Sequence, residues 1–437
     1  MGAGLPVSNG PSSGTGTGPE NDPGNGWTGG QYSTYRAILG LYLFQHFVRL
    51  LPWGTEVFSS RGALPDGAAS PLLYLFPNVL ALWDAPLPVT ALLAIGATLS
   101  GLLAAGKFDR AAAIGIWYVL ACLFGRNPLT ANPSLPYVGW LLLAHAFLPP
   151  APYGSWAARG RHEPSGGWQM PRAIFVLAWA LMALGYTYSG VTKLVSPSWL
   201  DGSAFQQVLE NPLARPGIPR DVLSTLPSGL LSLATWGALG LELAFAPLAL
   251  FRRIRPWLWL AMVLLQASLA LVIDFADLSV GMIILHLFTF DPAWVRPLRA
   301  AGEETLFYDG HCGLCHRAVR FVLAEDPPAA PTGIRFSPLG GDLFQSAVAE
   351  AERATLPDSL VIRAADGKLL TRSDGVRHLL ARLGGMWRAL AWVLGLVPSA
   401  VLDAAYDFIA RIRYRLFPRP VEACPIVPKH LRSRFHL

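Results

Sequence analysis

Two of the chain's four cysteines are spaced for chemistry. Cys312-Gly-Leu-Cys315 sets two thiols two residues apart, at the end of an apolar run (Thr305-Leu-Phe-Tyr308) that stops at Asp309-Gly310. A helical pattern opens behind it, from His316 through Val322. Strand, turn, CxxC and helix, in that order, build a dithiol redox centre. The unpaired N–H groups and the positive dipole end of the helix favour thiolate at the first sulfur. Cys312 is therefore expected to be the attacking and more exposed sulfur, and Cys315, one turn on, to resolve the mixed disulfide. Neither step needs a cofactor. Asp309 shapes the turn with Gly310, or moves protons during exchange. His311, His316 and Arg317 are the nearby cations that would lower the thiol's pKa.

Three other chemistries use the same residues. Cys312-Gly-Leu-Cys315-His316 also spells the CxxCH of a c-type haem site, which leaves the preceding strand without a reason. A zinc site needs two further ligands, and Cys424 with His311, His316, His430 or His436 is the available set. A structural, unreactive CxxC is the third. The expectation here is a dithiol without a metal.

The elements that must position the motif follow from hydrophobic period and turn chemistry. Strand 305–309 and helix 313–324 lead to strand 333–338 and helix 342–354. Strand 359–364, a turn at Asp366-Gly367, strand 368–372 and helix 373–384 complete the set. This βαβ…ββα order is that of a thioredoxin-like domain, and CxxC beside it is a redox signature. Pro357, just before the third strand, is the candidate for a cis-proline facing the dithiol. Residues 386–417 read as helix interrupted at Gly395 and Pro398. They suit an amphipathic lid over the sheet or a piece lying on a bilayer.

Everything upstream has a different composition. Hydrophobic residues make up 52% of the 437-residue chain and charged residues 14%, against about 25% charged in soluble proteins. The apolar runs are expected to form an all-α multi-pass membrane domain, since a span needs about 20 apolar residues. Eight spans are predicted, at 35–53, 88–106, 110–125, 135–149, 172–195, 228–251, 257–275 and 279–292. Residues 71–83 read as interfacial or re-entrant, and residues 1–34, rich in Gly, Ser and Pro, as a disordered tail. No signal peptide is visible.

The net charge of +6 does not point to nucleic acid, because the arginines cluster between apolar spans. Their asymmetry places both termini and the CxxC domain in the cytoplasm, in a bilayer such as a bacterial inner membrane. A reducing compartment implies a dithiol that rests reduced and works transiently. Its partner is a protein or small-molecule disulfide or thiol of unknown identity.

Polar residues inside the apolar half are costly unless they face the bundle interior. Arg126-Asn127, Lys193, Trp199, Glu242, His145 and His286 stand out. Arg126-Asn127 reads as a loop with turn chemistry and an interfacial arginine, while Glu242, His145 and His286 are each either structurally paired or part of a quinone-sized pocket. Lys193 with Trp199 reads as a snorkelling lysine and its interface anchor, or as a lysine held in an apolar site to act as a base.

Two resemblances sharpen these readings. Ala105-Gly-Lys-Phe-Asp-Arg-Ala111, Trp117-Tyr118, Arg126-Asn-Pro128 and Phe147-Leu-Pro-Pro150 resemble the HTTM group, membrane domains related to vitamin K-dependent gamma-carboxylase. Ser189-Gly-Val-Thr-Lys193-Leu194, then Trp199 and Gly202, is similar to the segment that carries that carboxylase's catalytic lysine. The likeness covers roughly residues 35–295 and implies Lys193 as a base toward a quinone-like ligand. Asn132-Pro-Ser-Leu-Pro136 lacks the histidine that the carboxylase has before its fourth span. Tyr308-Asp-Gly-His-Cys-Gly-Leu-Cys315 and the run from Tyr406 to Arg411-Ile-Arg-Tyr-Arg415 resemble the DCC family of thiol-disulfide oxidoreductases, over about 303–437. This implies a thioredoxin-like fold and dithiol chemistry. The function expected is a membrane-anchored thiol-disulfide oxidoreductase. The alternatives are a non-catalytic docking scaffold and a carboxylase-like membrane enzyme.

Overall fold

The computed structural model describes residues 25–130, 132–326, 331–417, 420 and 428–436. Most of the expected tail, and Cys424, lie outside the described residues.

Eight helices stand where the eight spans were expected. They are α1 (Gly29–Leu50), α2 (Pro86–Ala105), α3 (Asp109–Arg126), α4 (Leu135–Phe147), α5 (Arg172–Lys193), α6 (Ser228–Ala249), α7 (Arg255–Val272) and α8 (Ala276–Thr289). Four of them, α2, α5, α6 and α7, are long and apolar enough to cross a membrane. A bent helix pair near the C-terminus makes a fifth if its two halves count as one span. The other four of the eight expected spans do not meet that measure of length and apolar content. At 13 and 14 residues, α4 and α8 reach about 20 Å against a hydrocarbon layer of about 30 Å. α1 carries Arg36 within the helix and Arg49 in its last turn, and α3 carries Asp109 and Arg110 at its start and Arg126 at its end.

α1 also starts six residues before the predicted span, at Gly29, with Trp27 and Thr28 already buried in front of it. The expected tail therefore ends earlier than residue 34.

Local signals explain the helix limits. α2 opens on Pro86, which needs no intrahelical N–H partner, and closes on Gly106 at φ +68°. Its C-terminal carbonyls are taken by a neighbour. The fully buried Arg36 of α1 donates to Leu103 O and, at 3.0 Å, to Ala104 O. A cation at a helix C-terminus is the favourable polarity. At Gly40 a Cβ would lie 2.5 Å from Ala104 N, so the glycine is what lets α1 approach α2 this closely.

The C-terminal part is built on a small mixed sheet: β1 (Thr305–Tyr308), β2 (Arg335–Pro338), β3 (Val361–Arg363) and β4 (Leu369–Thr371). The strand order is β2-β1-β3-β4, with β1 parallel to β2 and antiparallel to β3, and β3 antiparallel to β4. Period-two alternation splits β1 between two cores. Leu306 and Tyr308 pack with Val319, Val322, Leu379 and Leu383, while Phe307 packs on the other face with Phe344 and Val348.

The intervening helices are α9 (Gly313–Glu325), α10 (Asp342–Ala347), α11 (Glu350–Arg353) and α12 (Arg372–Leu383). The order matches the βαβ…ββα pattern expected, except that the single helix 342–354 is two short ones. Two further helices, α13 (Gly385–Leu394) and α14 (Ser399–Leu416), meet at 113° across the Gly395–Pro398 break.

The sheet domain docks on the N-terminal end of α1 through one buried carboxylate. Glu325, the last residue of α9, accepts from Thr28 Oγ1, from Gly30 N at 2.7 Å, from Gln31 N at 3.2 Å and from Trp387 Nε1 at 2.8 Å. It has no exposed surface. A Cβ at Gly30 would sit 2.5 Å from its carboxylate. An acid supplied across the fold thus serves as the anion at the start of α1.

Candidate dithiol site

β1 delivers the chain to the turn and α9 carries it away. Asp309 Oδ1 accepts the His311 N–H at 2.8 Å, which closes the turn. The imidazole of His316 bonds Gly310 O at 2.8 Å from the first turn of α9 and lies edge-on to Tyr308. Cys312 is the N-cap of α9, and its Sγ accepts the Cys315 N–H at 3.3 Å. Cys312 and Cys315 are both free thiols.

The two sulfurs are electrostatically unlike. The Cys312 thiol is lowered to about 6, first by the hydrogen bond from the Cys315 thiol, then by the Cys315 N–H, the Arg413 charge and the Leu314 N–H, against a burial cost. The same thiol–thiol bond, with burial, pushes Cys315 far up. One sulfur is thereby a thiolate near neutral pH and the other a proton-holding thiol. This division suits attack by the first and resolution by the second.

The surroundings correct three expectations. Cys312 is fully buried and Cys315 is the partly exposed sulfur, the reverse of the predicted order. α14 reaches the same turn. Tyr414 donates to Asp309 Oδ2 at 2.5 Å, and Arg413 lies 3.5 Å from that oxygen and 2.8 Å from Asp358 Oδ1. Second, the cation acting on the thiolate is Arg413, not a histidine or Arg317. His316 is spent on the turn, His311 is exposed, and Arg317 stacks at 4.7 Å over Phe417. Third, the peptide bond before Pro357 is trans. Trans is the ordinary preference for X–Pro bonds, and the Ser359 N–H closes a turn on Pro357 O at 2.8 Å. The β3 entrance is held instead by Tyr406, whose hydroxyl accepts the Leu360 N–H at 3.0 Å.

Sequence reasoning assigned no role to Arg413, Tyr414, Asp358 or Tyr406. The available signal was the Tyr406–Arg415 run, whose tyrosines and arginines are unusual on a helix face otherwise free to be Lys and Glu. Among the described residues no three His, Cys, Asp or Glu side chains gather as a metal set. Of the zinc candidates, His430 lies 3.4 Å from Glu163 and His436 bonds Arg335.

Of the polar residues singled out in the membrane half, three come together. Lys193 Nζ donates to Glu242 Oε2 at 2.5 Å and to Ser189 Oγ at 2.7 Å, and lies 4.9 Å from the Trp199 ring. Arg126 and Asn127 are not part of that group. Arg126 bonds Asp84 at 3.0 Å and Leu64 O at 2.7 Å, and Asn127 bonds Val57 O at 2.8 Å, so both secure the connection between α1 and α2. His286 is fully buried, with Nδ1 at 2.8 Å from Met282 O and the Tyr186 and Trp259 rings beside it. His145 pairs with Tyr32 at 2.5 Å.

Comparison with known proteins bears on the C-terminal domain. The family model for DCC1-like thiol-disulfide oxidoreductases matches residues 306–419. The uncharacterized protein YuxK of Bacillus subtilis (strain 168) is 31% identical over 133 residues, which is 30% of this chain and 93% of that protein. The chloroplastic DCC family protein At1g52590 of Arabidopsis thaliana is 27% identical over 130 residues, 29% of this chain and 74% of that protein. No solved structure matches. With its CxxC at a helix N-terminus and its matched region spanning β1 through α14, the chain belongs to the DCC1-like thiol-disulfide oxidoreductase family.

Proposed function

We propose that the protein is a membrane-anchored thiol-disulfide oxidoreductase whose working pair is Cys312 and Cys315 on a thioredoxin-like frame. The observation that carries this is the Cys312 sulfur, capped by the Cys315 N–H at the start of α9. Cys312 thiolate attacks one sulfur of a substrate disulfide, forming a mixed disulfide and releasing the other sulfur as thiolate. Cys315 then gives up its proton, attacks the Cys312 sulfur and releases the second substrate thiolate. Two electrons pass from the dithiol to the substrate, and the domain is left with a Cys312–Cys315 disulfide. Tyr414 of α14 bonds Asp309 at the same turn, so a substrate approaching the buried Cys312 from that side would displace the Tyr414–Asp309 contact. Arginine asymmetry supports a cytoplasmic dithiol, and the Glu325 contact with Thr28, Gly30 and Gln31 at the start of α1 supports a dithiol domain at that end of the helix.

The test is the pH profile of thiol alkylation, in a full chain carrying Cys122→Ala and Cys424→Ala. Cys312 reactivity should rise with pH through a midpoint near 6. Arg413→Gln should move the midpoint upward by about one unit, since a nearby cation favours thiolate. Two thiols inert across the whole range would leave only the scaffold reading.

A second reading concerns the membrane half, where the resemblance to HTTM domains and the convergence of Lys193, Glu242 and Trp199 support a quinone-like ligand near Lys193. Lys193 ends the 22-residue α5, roughly 30 Å along the helix from its start. That start lies near the dithiol domain, because Trp179 bonds Thr289 O and Trp27 bonds Phe290 O. The two sites would therefore act at opposite ends of the bundle, without direct hand-off. Lys193→Ala should weaken quinone binding at least about tenfold, the usual loss for an unpaired buried partner. Unchanged binding by calorimetry would remove this reading and leave the dithiol untouched.

A further inference from the structure

The bend between α13 and α14 is apolar on its outside. From Ala389 to Leu402 the chain holds no charged residue and a single hydroxyl, Ser399. Among the described residues Trp392, Val393, Leu396 and Val401 are exposed, Leu396 by 85%. A contiguous exposed apolar surface marks a place of interaction. The two faces of α14 differ. On the inner face, Asp403 accepts from Ser373 Oγ at 2.5 Å, Asp407 lies 3.0 Å from Arg372, and Tyr406 accepts the Leu360 N–H. On the outer face, Val401, Ala404, Phe408, Arg411 and Arg415 recur at steps of three and four residues, which aligns them. All of them are exposed. The acids of α14 are therefore committed to the sheet domain. Its outer face is apolar beside the bend and basic towards the C-terminal end of the helix.

The place of the bend selects what meets it. Gly385 N donates to Val295 O at 2.7 Å, just past α8, and Met386 N donates to Gln31 Oε1 at 3.0 Å in the first turn of α1. Arg388 Nη1 donates to Arg296 O at 2.5 Å. α13 therefore begins where the chain leaves the helical bundle. α8 is bonded at that end to α5, a helix long and apolar enough to span, through Trp179 Nε1 on Thr289 O at 2.9 Å. With 10 residues, α13 is about 15 Å long, so the bend stays within that reach of the bundle's end. Taken together, α13 and α14 have the hydropathy of one span, and the 113° angle between them prevents a straight crossing. A bent apolar pair with an exposed tryptophan and flanking arginines fits a bilayer interface. There apolar faces sink about 5–10 Å and guanidinium groups stay at the phosphates. We propose that the α13–α14 bend is seated in the lipid interface beside the bundle, with Trp392, Leu396, Val401 and Phe408 among the acyl chains and Arg411 and Arg415 at the phosphate level. α14 then runs from lipid to the dithiol turn, where Arg413 and Tyr414 meet Asp309.

Spin-label accessibility in the full chain, reconstituted in phospholipid nanodiscs, tests this. The label is carried by Leu396→Cys in a chain with Cys122→Ala, Cys312→Ser, Cys315→Ser and Cys424→Ala, so no outcome depends on the dithiol reading. Collisions with oxygen, which concentrates in lipid, are compared with collisions with a water-soluble nickel complex. The label should meet oxygen preferentially and report a depth of about 5–10 Å below the phosphates. In the same chain with Trp392→Asp and Phe408→Asp, the label should lose that depth and meet the nickel complex. Both of these side chains are more than half exposed, so the double variant leaves the core intact. A parent label reached mainly by the nickel complex would put the bend in water and overturn the assignment. A label shielded from both reagents would show that protein covers the bend, whether another segment of this chain or a second copy, and would overturn it equally. So would an unchanged depth in the double variant.

Discussion

Cys312→Ser is expected to abolish disulfide exchange, lowering turnover by at least roughly a thousandfold, because a serine hydroxyl is not ionised near neutral pH. Cys315→Ser is expected to behave differently. The first attack survives, and the mixed disulfide has no resolving thiol, so the substrate remains attached. Mass spectrometry of the Cys315→Ser chain after exposure to a disulfide should show one adduct on Cys312, and the Cys312→Ser chain should show none. The asymmetry follows from the geometry at the start of α9, where Cys312 accepts the Cys315 N–H and thiol while Cys315 keeps its proton. An adduct on Cys315 in the Cys312→Ser chain, with full turnover, would reverse the two roles and remove the argument.

Glu325→Ala is expected to loosen the dithiol domain from the membrane helices. It strands the Gly30 and Gln31 N–H groups and the Trp387 indole N–H in a site with no solvent. Each buried donor left unpaired costs about 1–3 kcal/mol, so the loss for the three is of the order of 3–9 kcal/mol. Hydrogen exchange at residues 28–31 should rise, and the linker after Trp294 should become open to proteolysis. Cys312 should keep its low pKa, because it sits at the other end of α9, about 20 Å away. Glu325→Gln keeps one acceptor oxygen and should fall between the two. If Glu325→Ala melts and digests as the parent chain does, the carboxylate is not what docks the domain.

The sheet and the dithiol turn were legible because their signals are local. Alternation in Thr305–Tyr308 marks β1, and the CxxC with its following helix pattern marks α9. What was not legible depends on contacts between distant residues. The dithiol turn is held by Tyr414, 105 residues from Asp309, and no local pattern announces that. Glu325 reads locally as an ordinary surface acid near a helix end, and only the arrival of α1 makes it a buried cap. Lys193 and Glu242 were both visible as misplaced charges in apolar sequence, and the structure adds their pairing. All eight expected spans are helices, but apolar runs in the sequence do not by themselves give a helix the length and mean hydropathy that a crossing needs. α4 and α8 fall short in length, while α1 and α3 carry more polar and charged residues.

The Glu325 cap also fixes an order of events in synthesis. Thr28 leaves the ribosome 297 residues ahead of the carboxylate it binds. At about 5–20 residues per second, that interval is roughly 15–60 s. During it the first helix waits with Gly30 unpaired while the apolar helices enter the bilayer. The last-made domain then closes onto the first-made one, so the carboxylate acts as a completion mark.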